Sequence, residues 1–420
     1  MEENITPLIT NDVVVLGILA LILGFVFYTA GSSNSFWKKF YGVVPSVLVC
    51  YFIPALLNTF NVINGSQSQL YSVASRVLLP ACLILLTIGI DIAALRKLGS
   101  KSLIMFLAGT AGVMIGGPLA FFITGAAFPE TLTFNGEETW RGFATISGSW
   151  IGGGANQVAL LEVFGASKDL FSQMIAVDIL IGNLWTGILL FAAQHRNKIN
   201  RWLKADNRAI VELETRMEQV EVSRGIKSTG TRELILLLAV SLGLTGLAHL
   251  LSDGIVPFFT ENFPGSAKYS LTNSFFWIVV LATTFGLILS FTRVRRMESI
   301  GASKMGSVFL YILVATIGMN MDLKAVLNNP KFFLTGLIWI LTHVMIMFAV
   351  ARMIRAPFFF VAVGSQANIG GAATAPIVAA AFNKYLAPVG VLMAVLGYAV
   401  GTYGGYLCGL LLQWVSGLLS

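Results

Sequence analysis

The feature that most constrains this chain is a series of long apolar runs: at least ten stretches of about 18 to 27 residues are nearly free of charge. A helix rising 1.5 Å per residue needs roughly 20 such residues to cross the hydrocarbon core of a bilayer, and a soluble domain has no use for so many. The runs occupy residues 11–30, 42–59, 72–95, 102–127, 142–165, 170–194, 232–252, 273–291, 305–326, 332–353, 358–383 and 386–413, twelve in all. Composition agrees, since only 11% of the residues are charged, against roughly 25% in an ordinary soluble domain. The chain reads as an all-α polytopic membrane protein.

The sequence opens Met1-Glu2-Glu3, without the basic n-region and small-residue cleavage site of a secretory signal, so the first run is expected to stay in the mature protein. Cys50, Cys82 and Cys408 fall inside apolar runs with no pairing or metal-ligand spacing, and read as packing residues. No metal or other cofactor is expected. A net charge of +7 does not by itself point to nucleic acid, because membrane proteins gather Lys and Arg in cytoplasmic loops for insertion.

The one long polar stretch, His195 to Glu233, divides the runs into two blocks of six. We therefore expect a first repeat over 1–194, a charged cytoplasmic linker over 195–231 and a second repeat over 232–420. Within the linker Ile210, Leu213, Met217 and Val220 fall at helical spacing, which suits a short amphipathic surface helix or a merely solvated charged one. Three landmarks echo between the blocks in the same order. Thr87-Ile88-Gly89-Ile90-Asp91 matches Thr316-Ile317-Gly318-Met319-Asn320. Gly148-Ser149-Trp150-Ile151-Gly152-Gly153-Gly154-Ala155-Asn156 matches Gly364-Ser365-Gln366-Ala367-Asn368-Ile369-Gly370-Gly371, and Met174-Ile175-Ala176-Val177 matches Leu392-Met393-Ala394-Val395. Ordered echoes of this kind are what an internal duplication leaves.

Loop charge orients the blocks. One set of loops is basic, with Lys38, Lys39, Arg96, Lys97, Lys101, the linker, Arg293, Arg295, Arg296, Lys304, Arg352, Arg355 and Lys384; the other holds Glu130, Glu137, Glu138, Asp169, Asp253 and Glu261. Placing the basic set in the cytoplasm turns the two blocks opposite ways, yet two adjacent blocks of six crossings would point the same way. One segment per block must then fail to cross. The Gly-rich fifth segments are the candidates, as re-entrant hairpins buried in protein; the rival is a spanning helix unwound at its glycines. The expected architecture is two inverted repeats, each of five transmembrane helices plus one Gly-rich re-entrant or broken helix.

A polar solute inside a bilayer needs backbone groups freed from helical pairing, and glycine frees them most cheaply. Gly152, Gly153 and Gly154, and Gly370 and Gly371, meet that need, with half-helix ends offering N–H groups to an anion and carbonyls to Na+. Ser149, Asn156, Gln157, Ser365, Gln366, Asn368 and Thr374 surround them, a density of neutral polar groups that close packing through small residues does not require. These residues are the expected solute site. Asp178 lies nine residues into its run, about 13 Å deep at helical rise, where an acid usually marks an ion or proton path; its counterpart in the second block is Leu396. Asp91 and Asn320, at equivalent places in the first echo, suit either cation binding or contact with water at a helix end. Arg76 suits a substrate carboxylate or snorkelling, His343 suits packing, and Glu162 follows the first glycine cluster.

The motifs at Ser149 to Asn156 and Gly364 to Gly371 resemble those of the YjcL-like domain-of-unknown-function family 819 of bacterial and plastid multi-pass membrane proteins, and the likeness covers nearly the full length. More distantly, the layout looks like the glutamate:sodium and citrate:sodium symporters, with two inverted five-helix domains and Gly-Gly re-entrant loops. It also looks like bile-acid symporters and cation/proton antiporters, whose paired broken helices cross in a mobile core. In those antiporters an acid on the helix after the first broken one binds the ion, and Asp178 holds the comparable place, although Ile179 follows it where a paired aspartate would stand. The resemblance implies an elevator-type transporter, a homodimer, in the bacterial plasma (inner) membrane, and it implies no substrate.

The expected function is a secondary transporter coupling a cation, Na+ ahead of H+, to movement of a small anionic, amino-acid-like or peptide-like solute. The alternative is a cation/proton antiporter with no organic substrate. A membrane enzyme or sensor is the remote reading, because no nucleophile elbow, metal-ligand spacing or long soluble domain is present.

Overall fold

The computed structural model describes residues 7–42, 44–63, 65–91, 94–95, 98–206, 208, 210–213, 230–321 and 329–419. The described residues are predominantly helical; their one β-sheet is a two-residue pair, Thr133–Phe134 with Glu137–Glu138, closed by Asn135 and Gly136 at positive φ, and Ile9 forms an isolated bridge with Ile63. Such an Asn-Gly turn suits the twist of paired strands.

Among the described residues, seven helices are long and apolar enough to cross a membrane: α1 (Asp12–Ala30), α4 (Leu70–Ile88), α5 (Ser100–Ala127), α8 (Lys168–Gln194), α10 (Thr231–Asn262), α13 (Pro330–Met353) and α16 (Ala387–Leu419). Two more candidates need the short helix beside them: α3 (Ser46–Thr59), which follows α2 (Ser35–Tyr41), and α11 (Ser274–Ser290), which bends by 99° into Arg293–Ile300. Helix α12 (Ala302–Gly318) has 17 residues, about 25 Å at helical rise. Only 22% of the most apolar window of α1, and of α10, is buried in the fold, whereas 67% of that of α4 is. Contiguous apolar faces as large as those left on α1 and α10 belong in lipid rather than water.

The remaining apolar helices are short. Helices α6 (Trp140–Gly152) and α7 (Gly154–Phe164) meet at Gly153, and α14 (Phe358–Ile369) and α15 (Gly371–Ala380) meet at Gly370. Of the linker, α9 (Arg196–Leu203) continues past α8, and Leu213 is buried; Met217 and Val220 lie outside the described residues.

Packing sorts the helices into two groups. Helices α1, α3, α4, α10, α11 and α12 form one, which we call the frame, and α5 to α8 with α13 to α16 form the other, the core. Close approach through small residues sets the contacts within each. In the core, α5 lies against α13, with Gly112 and Gly116 leaving room for His343 and Trp339; the Trp339 indole donates to Val113 O at 2.8 Å. In the frame, Gly318 of α12 leaves no space for a side chain beside the Tyr51 backbone of α3. Where the groups meet, Tyr71 of α4 donates a hydrogen bond to Glu162 of α7, which Lys168 also pairs at 3.4 Å.

Candidate functional site

Both glycine breaks are hairpins. A continuous helix from Trp140 to Phe164 would separate those residues by about 36 Å; their ring centroids are 5.5 Å apart, and Arg141 Nη1 donates to Phe164 O at 2.7 Å. Gly148 lies so close to the returning arm that a β-carbon there would stand 2.6 Å from Asn156 O. The chain reverses at Gly153, with φ 80° and ψ −178°, a conformation essentially restricted to glycine. The second hairpin repeats the design. Phe358 and Phe359 pack against Phe382 with ring centroids at 5.8 and 5.4 Å, and Gly371 at the turn has φ 57°.

Helix α8 shows how the hairpins are disposed. It runs for 27 residues, about 40 Å. The base of the first hairpin lies at its start, beside Lys168, while the second hairpin begins just past its end, where Asn200 Oδ1 accepts from Phe358 N at 2.8 Å. The hairpins thus come from opposite ends of the core and meet: Gly153 Cα lies 4.0 Å from where a β-carbon of Gly371 would be.

Near this junction α8 presents Asp178, about 15 Å along the helix from Lys168. Its carboxylate accepts from Ser149 Oγ at 2.6 Å and from Trp150 Nε1 at 2.7 Å. Gln157 faces the same carboxylate as a third neutral group. No Lys, Arg or His pairs with Asp178 among the described residues. A carboxylate can accept about four hydrogen bonds, and neutral donors leave its charge unanswered. One and two turns further along α8, Gly182 touches Ile369, Trp185 Nε1 donates to Ser365 Oγ at 2.8 Å, and Gln366 Nε2 donates to Thr186 Oγ1 at 2.8 Å. Gln366 Nε2 also donates to Thr374 Oγ1 at 2.6 Å.

Each hairpin is pinned by one asparagine. Asn156 Nδ2 donates to Gly152 O and Tyr398 O, both at 3.0 Å, and its Oδ1 accepts from Thr402 at 2.5 Å. Asn368 Nδ2 donates to Phe106 O at 3.0 Å and Gly364 O at 2.9 Å, and its Oδ1 accepts from Thr110 at 2.8 Å. In both cases the outside partners are a carbonyl and a threonine four residues on, one helical turn. Gly152 is held against α16, where a β-carbon would stand 2.5 Å from Gly397 O. His343 is buried between the groups that fix it. Gly109 O can only accept, so Nδ1 at 3.0 Å carries a proton, and Nε2 is hydrogen-bonded to Ser365 Oγ at 2.8 Å; both ring nitrogens are engaged.

The twelve residues expected to form the solute site, Ser149, Gly152, Gly153, Gly154, Asn156, Gln157, Ser365, Gln366, Asn368, Gly370, Gly371 and Thr374, lie on the two hairpins beside their tips, and Asp178 lies with them. Asp91 and Asn320 lie elsewhere. Asp91 pairs with Arg295 at 2.5 Å and caps Ala94 N at 2.9 Å. Asn320 donates to Thr316 O at 2.9 Å in its own helix end. Arg76 is exposed on α4, as snorkelling requires. The sequence reading missed Trp185 and Thr186; their spacing of seven and eight residues from Asp178 puts them on one face of α8, which was the available signal. It also missed Thr110 and Thr402, the hydroxyls within the Gly-rich helices α5 and α16. No group of three or more His, Cys, Asp or Glu side chains that could hold a metal occurs among the described residues.

The family described as protein of unknown function (DUF819) matches residues 17–415. A relative from Bacillus subtilis (strain 168), named uncharacterized membrane protein YjcL, is 24% identical over 368 residues, which cover 84% of this chain and 85% of that protein. With seven to nine candidate spans and a family match from α1 to α16, this chain is a multi-pass membrane protein that belongs to the DUF819 family.

Proposed function

We propose that this protein is a secondary active transporter of the bacterial plasma membrane, coupling a cation, Na+ ahead of H+, to movement of a small anionic or amino-acid-like solute. The observation that carries the proposal is Asp178: a carboxylate deep in the core, beside two opposed glycine tips, with neutral donors and no cation. A charge withdrawn from water is stable only when paired or neutralised, and here a bound cation or proton supplies the missing partner. Polar backbone in mid-membrane is tolerated where it lines a site, and half-helices ending at glycines commonly form such sites.

The opposed hairpins and the echoed motifs support two inverted repeats, 1–194 and 232–420, joined by a cytoplasmic linker, 195–231. The division into frame and core supports an elevator motion, in which the core with its hairpins slides along the frame. In this reading the protein works as a homodimer, has no catalytic activity and needs no cofactor beyond the coupling ion. The experiment is a thermal melt of detergent-purified protein in NaCl against choline chloride, for wild type and Asp178→Asn, because a ligand that binds only the folded state raises its stability. A Na+-specific rise lost in the variant is expected. No rise in the wild type removes Na+ from the proposal and leaves proton coupling, or proton/cation antiport without an organic solute, to be read by proton movement on cation addition.

A further inference from the structure

Beside the glycine tips one buried side-chain polar atom, Gln366 Oε1, lacks a hydrogen-bond partner among the described residues. Gln366 is 0% exposed. Native structures leave few such atoms, since an unpaired buried group loses its water without replacement. The orientation of Gln366 is fixed by its neighbour. Thr186 donates its one hydroxyl hydrogen to Gly182 O at 2.8 Å, so toward Gln366 it can only accept. That places Nε2 on the threonine side and leaves Oε1 as the open acceptor. Gln157, by contrast, is directed at the Asp178 carboxylate.

The charge of the surroundings narrows the ligand further. Residues 147–158 and 364–375, which form both tips, contain no Lys, Arg or His. The histidine bonded to Ser365, His343, has both ring nitrogens engaged. The one formal charge at the junction is the carboxylate of Asp178. A dicarboxylate or tricarboxylate would find no cationic side chain and one like charge. The junction is not sealed, since Gly153, Gly154, Asp178, Gly370 and Thr374 are each half-buried.

We propose that Gln366 is the specificity-determining residue of this site: its Oε1 takes an N–H donor of the solute. The solute therefore carries an amino or amide group and no net negative charge, the class of zwitterionic amino acids and short peptides. This assignment rests on the transporter reading for movement of the solute but not for its binding.

The test measures binding by thermal shift of the purified protein in NaCl, with the standard amino acids and their dipeptides set against counterparts lacking nitrogen, such as glutamine against glutarate and alanine against propionate. Propionamide separates a neutral amide from a charged ammonium as the group recognised. The wild type is expected to bind members of the nitrogen-bearing series at least tenfold more tightly than their counterparts. Gln366→Met is expected to lose that preference while keeping the Na+ response. Equal or tighter binding of glutarate or citrate, an unchanged preference in Gln366→Met, or no shift across the panel overturns the assignment; the wild-type comparison stands even if the variant does not fold. Proteoliposome flux tells the two claims apart. An amino acid that binds but is never moved refutes transport and leaves the assignment standing, whereas a dicarboxylate driven by a cation gradient refutes the assignment and leaves transport standing.

Discussion

Replacing Gly153 by alanine isolates the backbone cost of the first hairpin tip. At φ 80° and ψ −178° a residue with a β-carbon is strained by on the order of 1–3 kcal/mol. Alanine also narrows the unfolded chain, which returns about 0.4–1 kcal/mol. Space adds nothing, because the nearest atom to the new β-carbon, Tyr398 Cε1, is 3.7 Å away, an ordinary van der Waals contact. The net expectation is a loss of about 1.5 kcal/mol, roughly a tenfold shift in the unfolding equilibrium. Gly99 provides the control, since it has φ 85° and ψ 159° and open space around it, far from the hairpin tips in sequence. Gly99→Ala should cost about as much but leave ion and solute responses intact, whereas Gly153→Ala should weaken them. The assay is SDS-driven unfolding of the purified protein in mixed micelles, followed by helical circular dichroism. If Gly153→Ala stays within about 0.5 kcal/mol of wild type while Gly99→Ala falls as expected, residue 153 does not hold the positive φ on which the tip is built, and the reasoning fails.

Other perturbations probe the same arrangement. Cysteines at Trp140 and Phe164, in a background without the three native cysteines, should be joined by a short bifunctional thiol reagent; a continuous helix would hold them about 36 Å apart and give no product. Trp150→Phe removes one of the hydrogen bonds to the Asp178 carboxylate and should cost about 1.5–3 kcal/mol, and a double-mutant cycle with Asp178→Asn should show a coupling of at least ~0.5 kcal/mol. Asn368→Ala removes three hydrogen bonds that tie the second hairpin to α5 and to itself and should cost roughly 2–4 kcal/mol in the same unfolding assay. Gly187→Ala, in the interior of α8 with open space beside it, should instead gain about 0.5–1 kcal/mol.

Much of this fold was legible because the bilayer makes length and charge informative. Each of the seven long helices overlaps a run whose apolar length announces it, and the glycine clusters mark where helices stop. That the clusters turn the chain back was available only through the parity of basic loops, an indirect argument that the contact of Trp140 with Phe164 makes direct. Boundaries were less readable. The run read as 72–95 is helical only to Ile88 before Asp91 starts a new turn, and the last run extends to Leu419. Pairings between distant segments were not readable at all. Asp91 meets Arg295, 204 positions away, and nothing local to either residue indicates the other. The same holds for Asn156 with Thr402 and Asn368 with Thr110, whose partners are set by which helices cross rather than by spacing along one of them. The identity of the unpaired amide atom belongs to this class: sequence supplies Gln366, and only its neighbours decide which end of the amide stays open.

The most direct test of the account is uptake into proteoliposomes under an imposed Na+ or proton gradient, with radiolabelled amino acids, peptides and organic acids, for wild type and Asp178→Asn. The account predicts that at least one solute accumulates only while the gradient lasts and that Asp178→Asn, folded and reconstituted equally, abolishes the accumulation. Gradient-independent behaviour across the whole panel, or accumulation undiminished in Asp178→Asn, would contradict it.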